Sequence, residues 1–228
     1  MPDDQNNKWC FTWFQAEPPK TGSEKAALVK SSRWGTGDVI IIAFMDGTDE
    51  QKALVRKHAV GWLGAGLANL NFSWDVPNPD IRISFNYRGS WSVIGTTCKN
   101  VPKNQPTMNF GWLTPGVSDD EARRVILHEF GHALGLIHEH QNPDHAIKWN
   151  EPAVIADLSG PPNNWDLVTI RHNMFEAYPP NEIDGTTLDT NSIMMYPISA
   201  SWTLDGTTAG LNADLSPADK SFIHKAYP

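Results

Sequence analysis

Apolar positions along the chain follow two periods, and the changes of period mark the elements. The run Asp38-Val39-Ile40-Ile41-Ile42-Ala43-Phe44 is β-branched and continuously apolar, which predicts a strand buried on both faces. Helical spacing follows, with Val55, Ala59, Trp62, Leu63, Leu67 and Leu70 on one face and a capping box from Thr48 and Gln51 at its start. Residues 71–76 and 80–86 read as two more strands, the second alternating with Ile81, Ile83 and Phe85 on one face. Two short strands are expected at 91–95 and 107–112. A second capping box, Ser118 with Glu121, then opens a helix that carries Val125 and Leu127. An order of strand, helix, strands, helix predicts a mixed α/β sheet with the second helix packed beneath it. The C-terminal half is looser: Asn150 can cap a short helix stopping near Gly160, and Asn164 another running to about Tyr178. Ser216-Pro217 begins a last helix with Pro at its first turn. Long loops rich in Pro, Asn, Asp and Gly separate these pieces, so the expected shape is one unit of two lobes.

The second helix carries the chemistry. From His128 the chain reads H-E-F-G-H-A-L-G-L-I-H-E-H. At 3.6 residues per turn His128 and His132 share a helix face, and both can reach one Zn²⁺. Glu129 sits one residue further round, placed to hold a water rather than the metal. Gly135 suits a left-handed turn that ends the helix, and that turn returns His138 as a third ligand. Three His ligands leave one tetrahedral position open, the pattern of a catalytic site. Zinc lowers the pKa of a bound water to about 7, so Glu129 can accept its proton and pass it to a departing amine. The predicted reaction is hydrolysis of a peptide bond.

A second signature, Ser192-Ile193-Met194-Met195-Tyr196-Pro197, follows some fifty residues on. With it the chain resembles the metzincins, zinc endopeptidases with a methionine turn beneath the metal, and within them the astacin type and its bacterial and fungal relatives. The resemblance runs from about 34 to 228 and includes Gly89-Ser90-Trp91-Ser92-Val93-Ile94-Gly95 and Thr107-Met108-Asn109-Phe110-Gly111-Trp112. It implies an α+β, two-lobed catalytic domain with a twisted, mostly parallel sheet, an active-site helix and an irregular helical C-terminal lobe. It also implies that Met194 floors the site, that Tyr196 stabilises the reaction intermediate, and that Trp91, Ser92, Val93 and Ile94 form the edge strand that holds substrate. Such an edge adds an extended peptide through main-chain hydrogen bonds. Met195 departs from the astacin pattern, which has His there. Glu139, which in mature astacins pairs with the new N-terminus, is preceded here by extra chain. Residues 1–33 match no such pattern and are expected to be an arm or pro-like segment, with 34–228 the catalytic domain.

Composition narrows the alternatives. The net charge of −8 argues against nucleic acid as partner, and no apolar run reaches the length of a membrane span. The polar N-terminus lacks the features of a signal peptide; secretion is implied only by the resemblance, and a monomer is expected. Cys10 and Cys98 leave three readings open: a disulfide, two free thiols, or Cys10 as a latency ligand at the open zinc position. His58, His172 and His224 read as surface or packing histidines, while His140 and His145 flank the site and could titrate near neutrality. Beside an endopeptidase stand a zinc-binding interaction module without turnover, against which Glu129 argues, and a toxin or effector protease with one target.

Overall fold

The computed structural model describes residues 28–142, 147–161, 163–177 and 188–228. All five expected strands form: β1 (Val39–Phe44), β2 (Asn71–Trp74), β3 (Ile81–Ser84), β4 (Ser90–Ser92) and β5 (Met108–Phe110). They lie in one sheet in the order β2-β1-β3-β5-β4. Every pairing is parallel except β4 with β5, which is antiparallel and leaves β4 at an edge. Among the described residues five α-helices accompany the sheet: α1 (Asp49–Ala59), α2 (Asp119–Ala133), α3 (Glu151–Ser159), α4 (Leu167–Ile170) and α5 (Pro217–Ala226).

Burial of β1 differs from the expectation of two buried faces. Ile40 and Ile42 are fully buried, Ile41 is half-buried and Val39 is exposed. The cause is one-sided cover. Phe72, in register with Ile40, meets Phe130 of α2, so both helices pack on that face and the opposite face stays open. In β3 the alternation is also incomplete, because Arg82 is buried with Ile81 and Ile83. Its guanidinium is satisfied by the carbonyls of Gln105, Val101 and Pro102.

α1 begins at the expected capping box of Thr48 and Gln51 but ends at Ala59, short of the apolar pattern that continues to Leu70. One 3-10 turn follows at Val60–Trp62, and Gly64 and Gly66, both at positive φ, break the helix. Trp62 keeps its expected burial and donates its indole N–H to Leu127 O at 2.8 Å. At α2 only half of the second capping box forms: Ser118 accepts from Glu121 N, while the Glu121 carboxylate turns to Arg124 instead. α3 stops before Gly160 as expected. Asn150, however, spends its side chain on Ser201 O, and α4 is capped by Asp166 rather than Asn164. Asn164 sits at positive φ, and the helix gives way to a π turn over Arg171–Phe175.

The end of α2 shows how a buried helix terminus is satisfied. Gly135, at φ +99°, lets its own N–H reach His132 O and lets Leu136 N reach Gly131 O. The next two carbonyls are taken by side chains, Ala133 O by the Trp34 indole and Leu134 O by the Tyr227 hydroxyl. No orphan acceptor is left among the four that a helix end exposes. Two cores result. The first joins the sheet to α1, α2, α5 and Met194; the second gathers α3, Ile170, Met174, Trp202, Met195 and Tyr196. Cys98 is a buried thiol in the first core, its pKa pushed up to about 12 by burial. Cys10, its prospective partner, and His145 lie outside the described residues.

Replacing Gly135 by Ala should destabilise the fold by about 1–2 kcal/mol, since a Cβ disfavours this left-handed conformation. Urea unfolding measures the loss; an unchanged midpoint would show that the turn relaxes without strain.

Candidate metal centre

α2 delivers His128 and His132 one turn apart, and the Gly135 turn returns His138 beside them. Their ligand nitrogens all lie within 4.8 Å of one another, and all three residues are buried. His132 Nε2 stands 3.1 Å from His138 Nε2. A tetrahedral zinc with nitrogens at about 2.0–2.1 Å needs its ligand atoms about 3.3 Å apart, so small movements complete the site.

Protonation of the rings is set by what lies behind them. His128 Nδ1 is 2.8 Å from Ile193 O, and His132 Nδ1 is 2.8 Å from Leu136 O. A carbonyl oxygen only accepts, so each Nδ1 carries the proton and each Nε2 presents a lone pair. The Gln141 side chain hydrogen-bonds His138. Burial lowers His132 to about 4, and burial together with the neighbouring rings carries His128 and His138 well below the usual histidine range. His128 Nε2 is buried and has no hydrogen-bond partner among the described residues. Three neutral, converging nitrogen donors fit a borderline-soft cation such as zinc.

Around this centre the other expected residues are placed as follows. Glu129 is fully buried and lines a recess with His128, Val125, Trp112, Tyr196 and Leu211. The Tyr196 ring lies 4.0 Å from that of His138 and 6.3 Å from that of His128. Met194 is buried against Gly131, where any Cβ would collide with the Met194 sulfur. β4 packs on α2 at the sheet edge but ends at Ser92. Val93 N still bonds Thr107 O, after which Gly95, at positive φ against Ser32 O, turns the chain into a 3-10 helix.

One expectation changes. His140 is buried, and burial lowers it to about 4, so it does not titrate near neutrality. Glu139 is likewise buried and pushed up to about 7; it accepts the Asp189 N–H at 3.1 Å. His58 (bonded to Asp119), His172 (to Glu176) and His224 stand away from the metal cluster, as expected.

One residue absent from the sequence reading organises the methionine turn. Asp219, third in α5, accepts from Ser192 Oγ at 2.6 Å and from Ile193 N at 2.8 Å. Ile193 in turn offers the carbonyl that orients His128. The S-x-x-D pattern of Ser216 and Asp219 signals a capping box, which forms, but nothing in it signals the second duty.

No protein-family model and no curated protein matches the chain, but solved structures do. It is 39% identical to one structure of myroilysin, over 88% of this chain and 98% of that one, with a TM-score of 0.84. The chain is an astacin-type metzincin. A second structure of myroilysin matches this metzincin at 36% identity over 96% and 99% of the two chains, with a TM-score of 0.65. High choriolytic enzyme 1, a hatching enzyme zinc-protease from the medaka fish Oryzias latipes, shares the fold at 18% identity, 90% and 98% coverage and a TM-score of 0.59. As a metzincin the protein is a zinc-dependent endopeptidase with one zinc ion and protein substrates. Among the described residues no helix is long and apolar enough to cross a membrane.

Replacing Asp219 by Asn puts a donor where two donors need acceptors, and should weaken zinc binding roughly tenfold by freeing Ile193. Competition with a chromophoric chelator reads this; unchanged affinity would uncouple α5 from His128. The metal-free protein should lose stability as pH falls from about 6.5 toward 4. In that window the unfolded histidines bind protons that the buried rings of His128, His132, His138 and His140 refuse. Glu139 works the other way, because its raised pKa favours the folded state on acidification, but it is one group against four. Urea midpoints across this range, rising with pH, are the expected result.

Proposed function

We propose that Glu129 is the general base of peptide hydrolysis, that His128, His132 and His138 hold the zinc, and that Tyr196 acts on the intermediate. The observation that carries this is the shared recess: Glu129, the His128 ligand and Tyr196 are all among the residues that line it. Bound zinc supplies a Lewis acid that lowers the pKa of water and offsets charge on the attacked carbonyl oxygen. Glu129, one residue past a ligand, takes the proton from the attacking water and delivers it to the departing amine nitrogen. Burial keeps competing water from the carboxylate. Gly135 and Met194 support the ligands from below.

Substrate binding is assigned to Trp91, Ser92, Val93 and Ile94. Among the described residues β4 pairs with β5 alone; Gly89 and Val93 bond to Gly111 and Thr107 at the two ends of β5, so by alternation the main-chain groups of Ser90 and Ser92 point away from β5. An extended peptide laid there gains main-chain hydrogen bonds irrespective of its sequence. We take residues 34–228 as the catalytic unit and 1–33 as an arm or pro-like segment. Its last residues lie along the end of α2, where Val29 N bonds Gly135 O and Leu28 is buried. Secretion and a monomeric state belong to the same proposal, on the resemblance.

Glu129→Gln should retain zinc and lose turnover by orders of magnitude, because an amide cannot take the proton. Tyr196→Phe should lower kcat roughly a hundredfold with KM nearly unchanged, since its hydroxyl acts only in the transition state. Steady-state kinetics on a quenched peptide, beside zinc analysis, check both. A fully active Gln variant would remove Glu129 from the base role, and a fully active Phe variant would reduce Tyr196 to packing.

A further inference from the structure

His140 follows the third ligand by two residues and is not itself one of the metal group. Its ring lies tilted against that of Tyr196, at a centroid distance of 4.7 Å and 31°, and meets Trp149 edge-on at 6.0 Å and 90°. Its Nε2 is 2.8 Å from Asn173 O, and since a carbonyl only accepts, Nε2 carries the proton. Nδ1 is then a bare acceptor, buried with no hydrogen-bond partner among the described residues. A histidine kept only for packing would be expected to satisfy both nitrogens or be replaced by an apolar ring. Here one nitrogen is anchored, the other is left over, and the ring lies tilted against Tyr196. The anchoring carbonyl belongs to the π turn Arg171–Phe175, a helical irregularity that concentrates at functional sites. Gln141 ties the same turn to the ligand loop by donating to His172 O at 3.0 Å.

We propose that His140 is a positioning residue for Tyr196: its ring, locked by the Asn173 carbonyl, fixes the plane in which the phenol rests and so the aim of its hydroxyl. The proposal rests on the assignment of Tyr196 to the intermediate. It adds that the aim is set from the second lobe, by the π turn, and not by the zinc ligands alone.

The test is a double-substitution cycle on the zinc-loaded full chain. His140→Gln keeps an N–H for Asn173 O and removes the ring; His140→Phe keeps a ring and removes the N–H. The Gln variant should lower kcat roughly three- to tenfold while KM and zinc content stay unchanged, and the Phe variant should lose less. Binding of a phosphinic peptide, which mimics the tetrahedral centre, should weaken by the same factor, and binding of a cleaved product should not. In a Tyr196→Phe background His140→Gln should have no further effect, because no hydroxyl is left to aim. An equal loss in both backgrounds would overturn the proposal. So would a His140 variant that loses zinc or its cooperative unfolding transition, since that places His140 in the service of the metal or the fold. If Tyr196→Phe is impaired and the His140 variants are fully active, only this proposal fails; if Tyr196→Phe itself is fully active, the assignment beneath it fails first.

Discussion

Three imidazoles buried together must offer lone pairs to one point, and the rest of the structure serves that demand. Protonated, they would repel one another in a site with little water to screen them. The solution is to fix each proton on the far nitrogen. Ile193 O and Leu136 O do this for His128 and His132, and Gln141 bonds the third ring. Those partners come from three places: the methionine turn, the chain just after Gly135 and the turn after His138. Each must therefore be held by something more rigid than a loop. Leu136 is held by the closed end of α2, whose carbonyls are taken up by Gly135, Leu136, Trp34 and Tyr227. Ile193 is held by Asp219 at the start of α5.

The methionine turn also joins the two lobes. Ile193 and Met194 are buried in the core beneath the sheet, whereas Met195 and Tyr196 are buried in the core of the second lobe. Neighbouring side chains thus pack into two different cores. Gly131 is part of the same fit, since any larger residue on that face of α2 would displace the Met194 sulfur. Met195, where astacins carry His, packs among apolar neighbours such as Ile198 and Trp202. Its position explains why an apolar residue is accommodated there without disturbing the ligands.

Much of this was legible because it depends on local spacing. The interval from His128 through Gly135 to His138 encodes a helix, a left-handed stop and a return, and all three appear. The five strands were legible as β-branched or alternating runs. What was not legible depends on pairings distant in sequence. Asp219 lies 26 residues from Ile193, and Asn173 lies 33 residues from His140. The apolar spacing suggests a longer α1 because Trp62 and Leu70 are core residues in either conformation, and only Gly64 and Gly66 decide between them. The apolar run of β1 suggests two buried faces because it does not say on which side the helices return.

The central claim is that one zinc ion held by the three histidines makes this chain an endopeptidase. The most direct measurement is the rate at which the zinc-loaded protein hydrolyses an unfolded protein, repeated after the metal is stripped and after one equivalent is restored. The account predicts hydrolysis, its loss with the metal, and its recovery at one zinc per chain. Hydrolysis that survives complete removal of the metal would contradict it.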